Sequence, residues 1–304
     1  MAELMKENMR ASLLAPVDYS FSSFLTKLPK IPAHVRKGAV AFRSSLDKGR
    51  SRRTLDRLAL MGTSSGDEAF PAPCLIGTFH KTGTMLVWRI FEELAHYASF
   101  QFWNIGMDAE APNDWRVGFE WWSDFKDHGL KVTAHPTAAI IRDPRNVLVS
   151  SMKFHRMSGE PWLHIPLDEL DGRTYQQALL ALPDDEARLH FELENQGGST
   201  IADMLAAKRS ASHAETLFMP LEDLMGDRTL RPYKLLFEHL GITEAYLPLA
   251  MSVAFEHSVF RPGFKKTSHI TSGKAQVWKQ AIPESVLAAL DERYPDAAAE
   301  LGYD

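Results

Sequence analysis

The chain has 304 residues, 45% of them hydrophobic and 24% charged, enough to bury a full core within the ordinary globular range. A formal charge of −5 and an isoelectric point near 6.2 argue against a protein that coats nucleic acid, and the one cysteine, Cys74, excludes an intramolecular disulfide and a cysteine-built zinc site. No stretch approaches the roughly 18 apolar residues of a membrane span. The N-terminus, MAELMKENMRASLL, carries acidic residues before any apolar core, so the expectation is a soluble, cytoplasmic protein in a reducing compartment.

Residues 1 to 70 read as an N-terminal extension. Its basic run from Arg43 to Arg57 (RSSLDKGRSRRTLDR) suits a solvated connector or a contact with an anionic partner, and it ends in the loop-forming stretch Gly62 to Pro73. Residues 71 to 304 read as one domain. CLIGTF is a short apolar strand, followed by a helical stripe through Leu86, Ile90 and Leu94; TAAII is a second strand, followed by a helix from about Pro144. Tyr175 to Asn195, with a break at Pro183, and Thr200 to Arg209 are helical, ETLFMPL is a further strand, and Leu230 to Leu240 is a helix stopped by Gly241. Pro283 opens a last helix, PESVLAALDERY. The βαβ rhythm predicts an α/β domain with a central, mainly parallel sheet flanked by helices.

Three segments carry chemistry. In GTFHKTGTMLVW (Gly77 to Trp88) a strand turns into a helix, and such a turn aims free N–H groups at whatever lies beyond the strand. Gly83 permits close approach, Thr82 and Thr84 offer hydroxyls and Lys81 adds a point charge, which together outline a cradle for an anion. A tight glycine turn with a solvated lysine is the plainer alternative. It is not a Walker A loop, which places lysine directly after its second glycine and follows it with Ser or Thr. In the second segment, TAAIIRDPRNVLVSSMKFH, Arg142 ends a strand, Asp143 and Pro144 are suited to start a helix, and Ser150 lies two turns on. The third, HITSGKAQVWKQAIP, presents Ser272, Gly273 and Lys274 in a small basic loop before Trp278.

Taken in order, these segments resemble those of the sulfotransferases that use 3′-phosphoadenosine 5′-phosphosulfate (PAPS). KTGT is similar to the family's 5′-phosphosulfate loop, RDPRNVLVSSMKF to its 3′-phosphate motif, and SGKAQVW to its C-terminal glycine loop. The resemblance implies a P-loop NTPase-like sulfotransferase fold. It implies transfer of a sulfuryl group from PAPS, as co-substrate and without metal, to a hydroxyl or amine of a small-molecule, carbohydrate or lipid acceptor. It places Lys81, Thr82, Gly83, Thr84 and Met85 at the 5′ end, Arg142, Ser150, Ser272, Gly273 and Lys274 at the 3′-phosphate, and Phe255 against adenine. Lys81 is the implied catalytic cation, Phe154 lines the acceptor pocket, and the Glu-Asp pair of PLEDL is structural.

The chain departs from the family's pattern at His80, Met85 and Leu86. The general base stays open among His135, in LKVTAHP, His155, and the acidic residues Asp108, Glu110, Asp114 and Glu120; Trp121, Trp122 and Trp162 suit either an acceptor wall or core packing. A P-loop kinase with an atypical loop and a non-catalytic nucleotide-binding descendant are the alternatives, and the acceptor and oligomeric state are open.

Overall fold

The computed structural model describes residues 69–108, 110–211, 216–261 and 276–303. Five parallel strands form one sheet there: β1 (Cys74–Gly77), β2 (Gln101–Asn104), β3 (Trp115–Glu120), β4 (Thr137–Ile141) and β5 (Thr216–Pro220), in the order β2-β3-β1-β4-β5. CLIG and TAAII are buried at every residue, as the apolar runs of a parallel sheet covered on both faces should be.

The two-residue period of β4 sorts its side chains. Ala138 and Ile140 face one helical layer and Ala139 and Ile141 the other. The first layer holds α1 (Thr84–Ala98), whose Val87, Ile90, Phe91 and Leu94 recur at helical spacing, with the helices Arg231–His239 and Leu247–His257. Ala69 and Phe70 are fully buried in this layer. The second layer holds α2 (Pro144–His155), followed by α3 (Tyr175–Ala181), α4 (Asp185–Glu194) and α5 (Gln196–Ser210), with Glu284–Arg293 packed on α4. The break at Pro183 falls between α3 and α4, and Asp184 caps α4 by accepting from Ala187 N.

Two strands escape the sequence pattern. β2, QFWN, is an edge strand of four residues, and β3, WRVGFE, mixes aromatic, charged and small residues. They flank GMDAEAPNDW (Gly106 to Trp115), which reads as a loop in sequence. The chain runs from β1 out to β2 and β3 on one side, then crosses to β4 and β5 on the other. That reversal opens a crevice beyond the carboxyl end of β1, where ligands settle in open α/β sheets.

Candidate active site

The loop from β1 to α1 occupies that crevice. It is held from within: Phe79 N donates to Thr82 Oγ1 (2.8 Å), and the Thr82 and Thr84 hydroxyls both donate to Phe79 O (2.9 and 3.1 Å). The threonine hydroxyls that the sequence offers to an anion are therefore spent on the loop itself, and Thr82 is fully buried. The donors left over are main-chain ones. Gly83 N, Thr84 N and Met85 N have no acceptor among the described residues, and Gly83 caps α1 without any side-chain oxygen. Gly83 sits at φ +96°, and a Cβ there would lie 2.6 Å from Leu221 Cδ1, so both backbone and space favour glycine.

Lys81, at φ +64°, projects its ammonium over the Phe154 ring, 3.2 Å from the centroid. Burial lowers its pKa to about 7; Glu160 and Glu192 pull it back up while Arg142 pushes it down. Arg142, just past β4, donates from Nη1 to Lys81 O (2.8 Å), which ties the two strand ends together. Its Nε is buried without a hydrogen bond, with Glu222 Oε1 at 3.8 Å. Glu222 also accepts from Asn146 Nδ2 (3.0 Å) and Tyr303 OH (2.9 Å), so the Glu-Asp pair contributes a counter-charge to the site as well as structure. Asn146 Oδ1 in turn accepts from Trp278 N (3.2 Å), and the Arg145 guanidinium lies over the Trp278 ring.

On the other flank of Lys81 is a chain of buried polar groups. His80 Nε2 and His155 Nε2 are 2.8 Å apart, His155 Nδ1 is 2.7 Å from Glu192 Oε1, and Tyr175 OH donates to Glu192 Oε2 (3.0 Å). The two imidazoles stack at 5.0 Å, with Trp162 against both and Tyr175 against His155. Burial holds both histidines well below the usual imidazole range; His155 and Lys81 add to this at His80, and Lys81 at His155. Burial also raises the Glu192 carboxyl to about 8, against hydrogen bonds from Tyr175 and Gly197 N and the charge of Lys81. Glu160, which accepts from Trp162 Nε1 (2.7 Å), is likewise raised by burial.

Several expectations change here. His135 stands before the N-terminal end of β4, against Trp115, while Arg142 and Lys81 lie at the opposite end of the sheet. It cannot reach them. His155 is in the site but completely buried with both ring nitrogens engaged, so it cannot touch an acceptor directly. The buried carboxylate of Glu120 accepts from Trp122 N and Asp124 N (2.6 and 2.8 Å), which fixes the turn after β3. Asp108 accepts from Asn104 N, and Glu110 and Asp114 are exposed. Trp122 and Trp162 belong to an apolar cluster with Leu163, Leu167 and Tyr175; Trp121 donates from Nε1 to Asn104 Oδ1 (2.7 Å).

Ser150 and Phe154 lie on α2, Ser150 half-buried and Phe154 under the lysine. Met85 and Leu86 are half-buried in the first turn of α1, and Phe255 is half-buried on the helix Leu247–His257, which packs against α1. Ser272, Gly273 and Lys274 lie outside the described residues, as does the basic run from Arg43 to Arg57.

His80 and Glu192 are the site groups that the sequence hides. His80 looks like a mere substitution beside the lysine. Glu192 sits on the apolar stripe of α4 between Leu189 and Leu193, and a carboxylate on a buried stripe is the one signal that could have exposed it. Among the described residues no group of three or more His, Cys, Asp and Glu side chains is placed to hold a metal ion, and no helix is long and apolar enough to cross a membrane.

No protein-family model matches the chain, and no curated protein matches it. Among solved structures, the mouse sulfotransferase SULT7A1 complexed with PAP is similar, with a TM-score of 0.50 and 16% sequence identity over 78% of this chain and 90% of that one. At that identity the likeness establishes a shared fold.

Proposed function

We propose that the protein is a sulfotransferase that moves a sulfuryl group from PAPS to a hydroxyl or amine of an acceptor. One observation carries this: three consecutive open N–H groups, at Gly83, Thr84 and Met85, are flanked by a lysine ammonium and an arginine whose buried Nε makes no hydrogen bond. Such a constellation fits a ligand with two separate anionic groups, since an open helix head favours one and a guanidinium from the next strand the other. The mouse enzyme of the same fold was solved with PAP.

In this reading the N–H groups of residues 83 to 85 hold the 5′ end, and Arg142 and Ser150, with Ser272, Gly273 and Lys274, hold the 3′-phosphate. Phe255 lies toward the adenine. PAPS supplies the activated sulfuryl group. The work of the chain is to position it and to place charge where charge develops, as in phosphoryl transfer. Lys81 is the residue for the second task. An anion beside it raises its pKa from about 7, so binding itself secures the ammonium. The Phe154 ring beneath it and the apolar cluster of Trp122 and Trp162 keep that side of the site dry, which strengthens each charge interaction. Carbohydrate, lipid and small alcohol or phenol acceptors are all compatible with the transfer.

Calorimetry with adenosine 3′,5′-bisphosphate, AMP, and ADP with Mg²⁺ tests the proposal. The bisphosphate should bind at least tenfold tighter than AMP, and Arg142→Ala should remove most of that preference, a loss of about 1.5–3 kcal/mol for a charged hydrogen-bonding group. Equal binding of bisphosphate and AMP would overturn it, and preference for ADP with Mg²⁺ would favour a kinase.

A further inference from the structure

The buried chain beside Lys81 has no place in phosphate binding. Its members come from four separate elements: His80 from the β1–α1 loop, His155 from the end of α2, Tyr175 from α3 and Glu192 from α4. A buried polar network costs stability unless every member is satisfied, and here each internal contact is made, at 2.7 to 3.0 Å. One end differs. His80 is half-buried rather than sealed, and its Nδ1 has no partner among the described residues and is not enclosed, whereas every nitrogen and oxygen of His155 and Glu192 named above faces another group.

We propose that His80 is the base that takes the acceptor's proton, and that His155 and Glu192 relay that proton away from it. This rests on the sulfuryl-transfer reading. Before transfer, Glu192 is a carboxylate, His155 donates Nδ1–H to it, and His80 donates Nε2–H to His155 Nε2, which leaves His80 Nδ1 bare. As the new bond forms between acceptor oxygen and sulfur, the bond from sulfur to the bridging oxygen breaks and its electron pair stays on the departing phosphate. The acceptor's proton passes to His80 Nδ1, the His80 Nε2 proton to His155 Nε2, and the His155 Nδ1 proton to Glu192 Oε1. Both rings end neutral, and one proton has been stored on the carboxyl.

The surroundings favour this over a lone imidazolium. Beside the Lys81 ammonium, and walled by Trp162 and Phe154, a charged ring is penalised at either histidine. A neutral carboxyl is not: burial lifts Glu192 to about 8, so the carboxylate that starts the relay predominates above that value and is the minor form at neutral pH, and it takes up a proton readily. The charged and titratable groups facing the relay are Lys81 at His80 and His155, and Tyr175 and Lys81 at Glu192, with Gly197 N as a further donor to the carboxyl. His155 and Glu192 touch no acceptor and act through His80.

A purely structural network would keep one set of tautomers; a relay must exchange them together. The test is ¹⁵N NMR of the full-length protein labelled at histidine, titrated from pH 5.5 to 9.5 without ligand. His80 and His155 should switch tautomer in concert near pH 8, His80 from Nδ1–H to Nε2–H and His155 from Nε2–H to Nδ1–H, with neither ring gaining a second N–H. Glu192→Gln should lock the acidic pair at all pH values, because its amide donates permanently to His155 Nδ1. Fixed tautomers in the wild type, either ring titrating alone to an imidazolium, or a switch that persists in Glu192→Gln would each overturn the relay. Adenosine 3′,5′-bisphosphate binding, measured on the same sample, separates the two claims. Binding without the concerted switch sinks the relay alone, while absence of binding removes the reaction it serves and sinks both.

Discussion

The two strand-to-helix turns that meet at the site solve the same problem in opposite ways. After β4, Asp143 closes the head of α2: its carboxylate accepts from Arg145 N at 2.9 Å and from the Arg145 guanidinium at 2.8 and 2.9 Å. After β1, Gly83 leaves the head of α1 open, and the hydroxyls that would have capped it, on Thr82 and Thr84, turn back to Phe79. One helix is capped for stability, and its turn serves the site through side chains, Arg142 just before it and Ser150 and Phe154 along it. The other forgoes a cap and offers its main chain. An uncapped helix beside a lysine whose charge is penalised by burial is a locally unfavourable arrangement, and such arrangements persist where a ligand completes them.

The largest expected effect breaks the open turn. Lys81→Ala should lower kcat for sulfuryl transfer by roughly 10² to 10³, the usual consequence of removing a group that meets developing charge. Arg142 bonds to the main-chain oxygen of residue 81, so the anchoring of the loop should survive the substitution. Steady-state kinetics against the calorimetric affinity for the bisphosphate separates chemistry from binding. Near-normal turnover would remove Lys81 from the mechanism and leave both turns as binding elements only.

Much of this architecture is legible without coordinates. CLIG and TAAII announce themselves because a parallel strand covered on both faces needs an unbroken apolar run, and KTGT and RDPRNVLVS mark the turns that follow them; LFMP, on the far edge of the sheet and mostly half-buried, is read from its apolar run alone. β2 and β3 do not, because an edge strand has no such need and β3 carries Arg116 and Glu120 within six residues. The relay is invisible for a different reason. His80, His155, Tyr175 and Glu192 are spread over more than a hundred residues, and only the packing of α2, α3 and α4 on the sheet brings them within hydrogen-bond distance. The threonines show the converse: the hydroxyls that the sequence offers to an anion bond within the loop, and the donors left open there are main-chain N–H groups.

A second experiment sharpens the contrast through pH. Lys81 has a folded pKa near 7, lowered chiefly by burial, so in the free protein it loses its charge as pH rises through that value. A bound anion favours the ammonium and raises the pKa again, so binding must take up protons where the free lysine is neutral. Between pH 7 and 8 the affinity for the bisphosphate should fall by up to about tenfold, and calorimetry in buffers of different ionisation enthalpy should record uptake of up to one proton near pH 8. Lys81→Met should abolish that uptake, whereas Arg142, as a guanidinium, stays charged throughout this range and contributes none. Uptake that survives in Lys81→Met would assign the proton to another group.

The smallest expected effect tests the closed turn. Asp143→Ala removes the cap of α2 and the fork that holds Arg145 over Trp278, and should cost about 1 kcal/mol of stability, read as a lower denaturant midpoint with unchanged slope. Bisphosphate affinity should stay within about twofold of the wild type. Any change should be toward tighter binding, because a negative charge next to Arg142 has been removed. A tenfold loss of affinity at full occupancy of the folded state would mean that the head of α2 needs its cap in order to hold Arg142 for the ligand. The closed turn would then be part of the binding surface itself, and the division of labour between the two turns would fail.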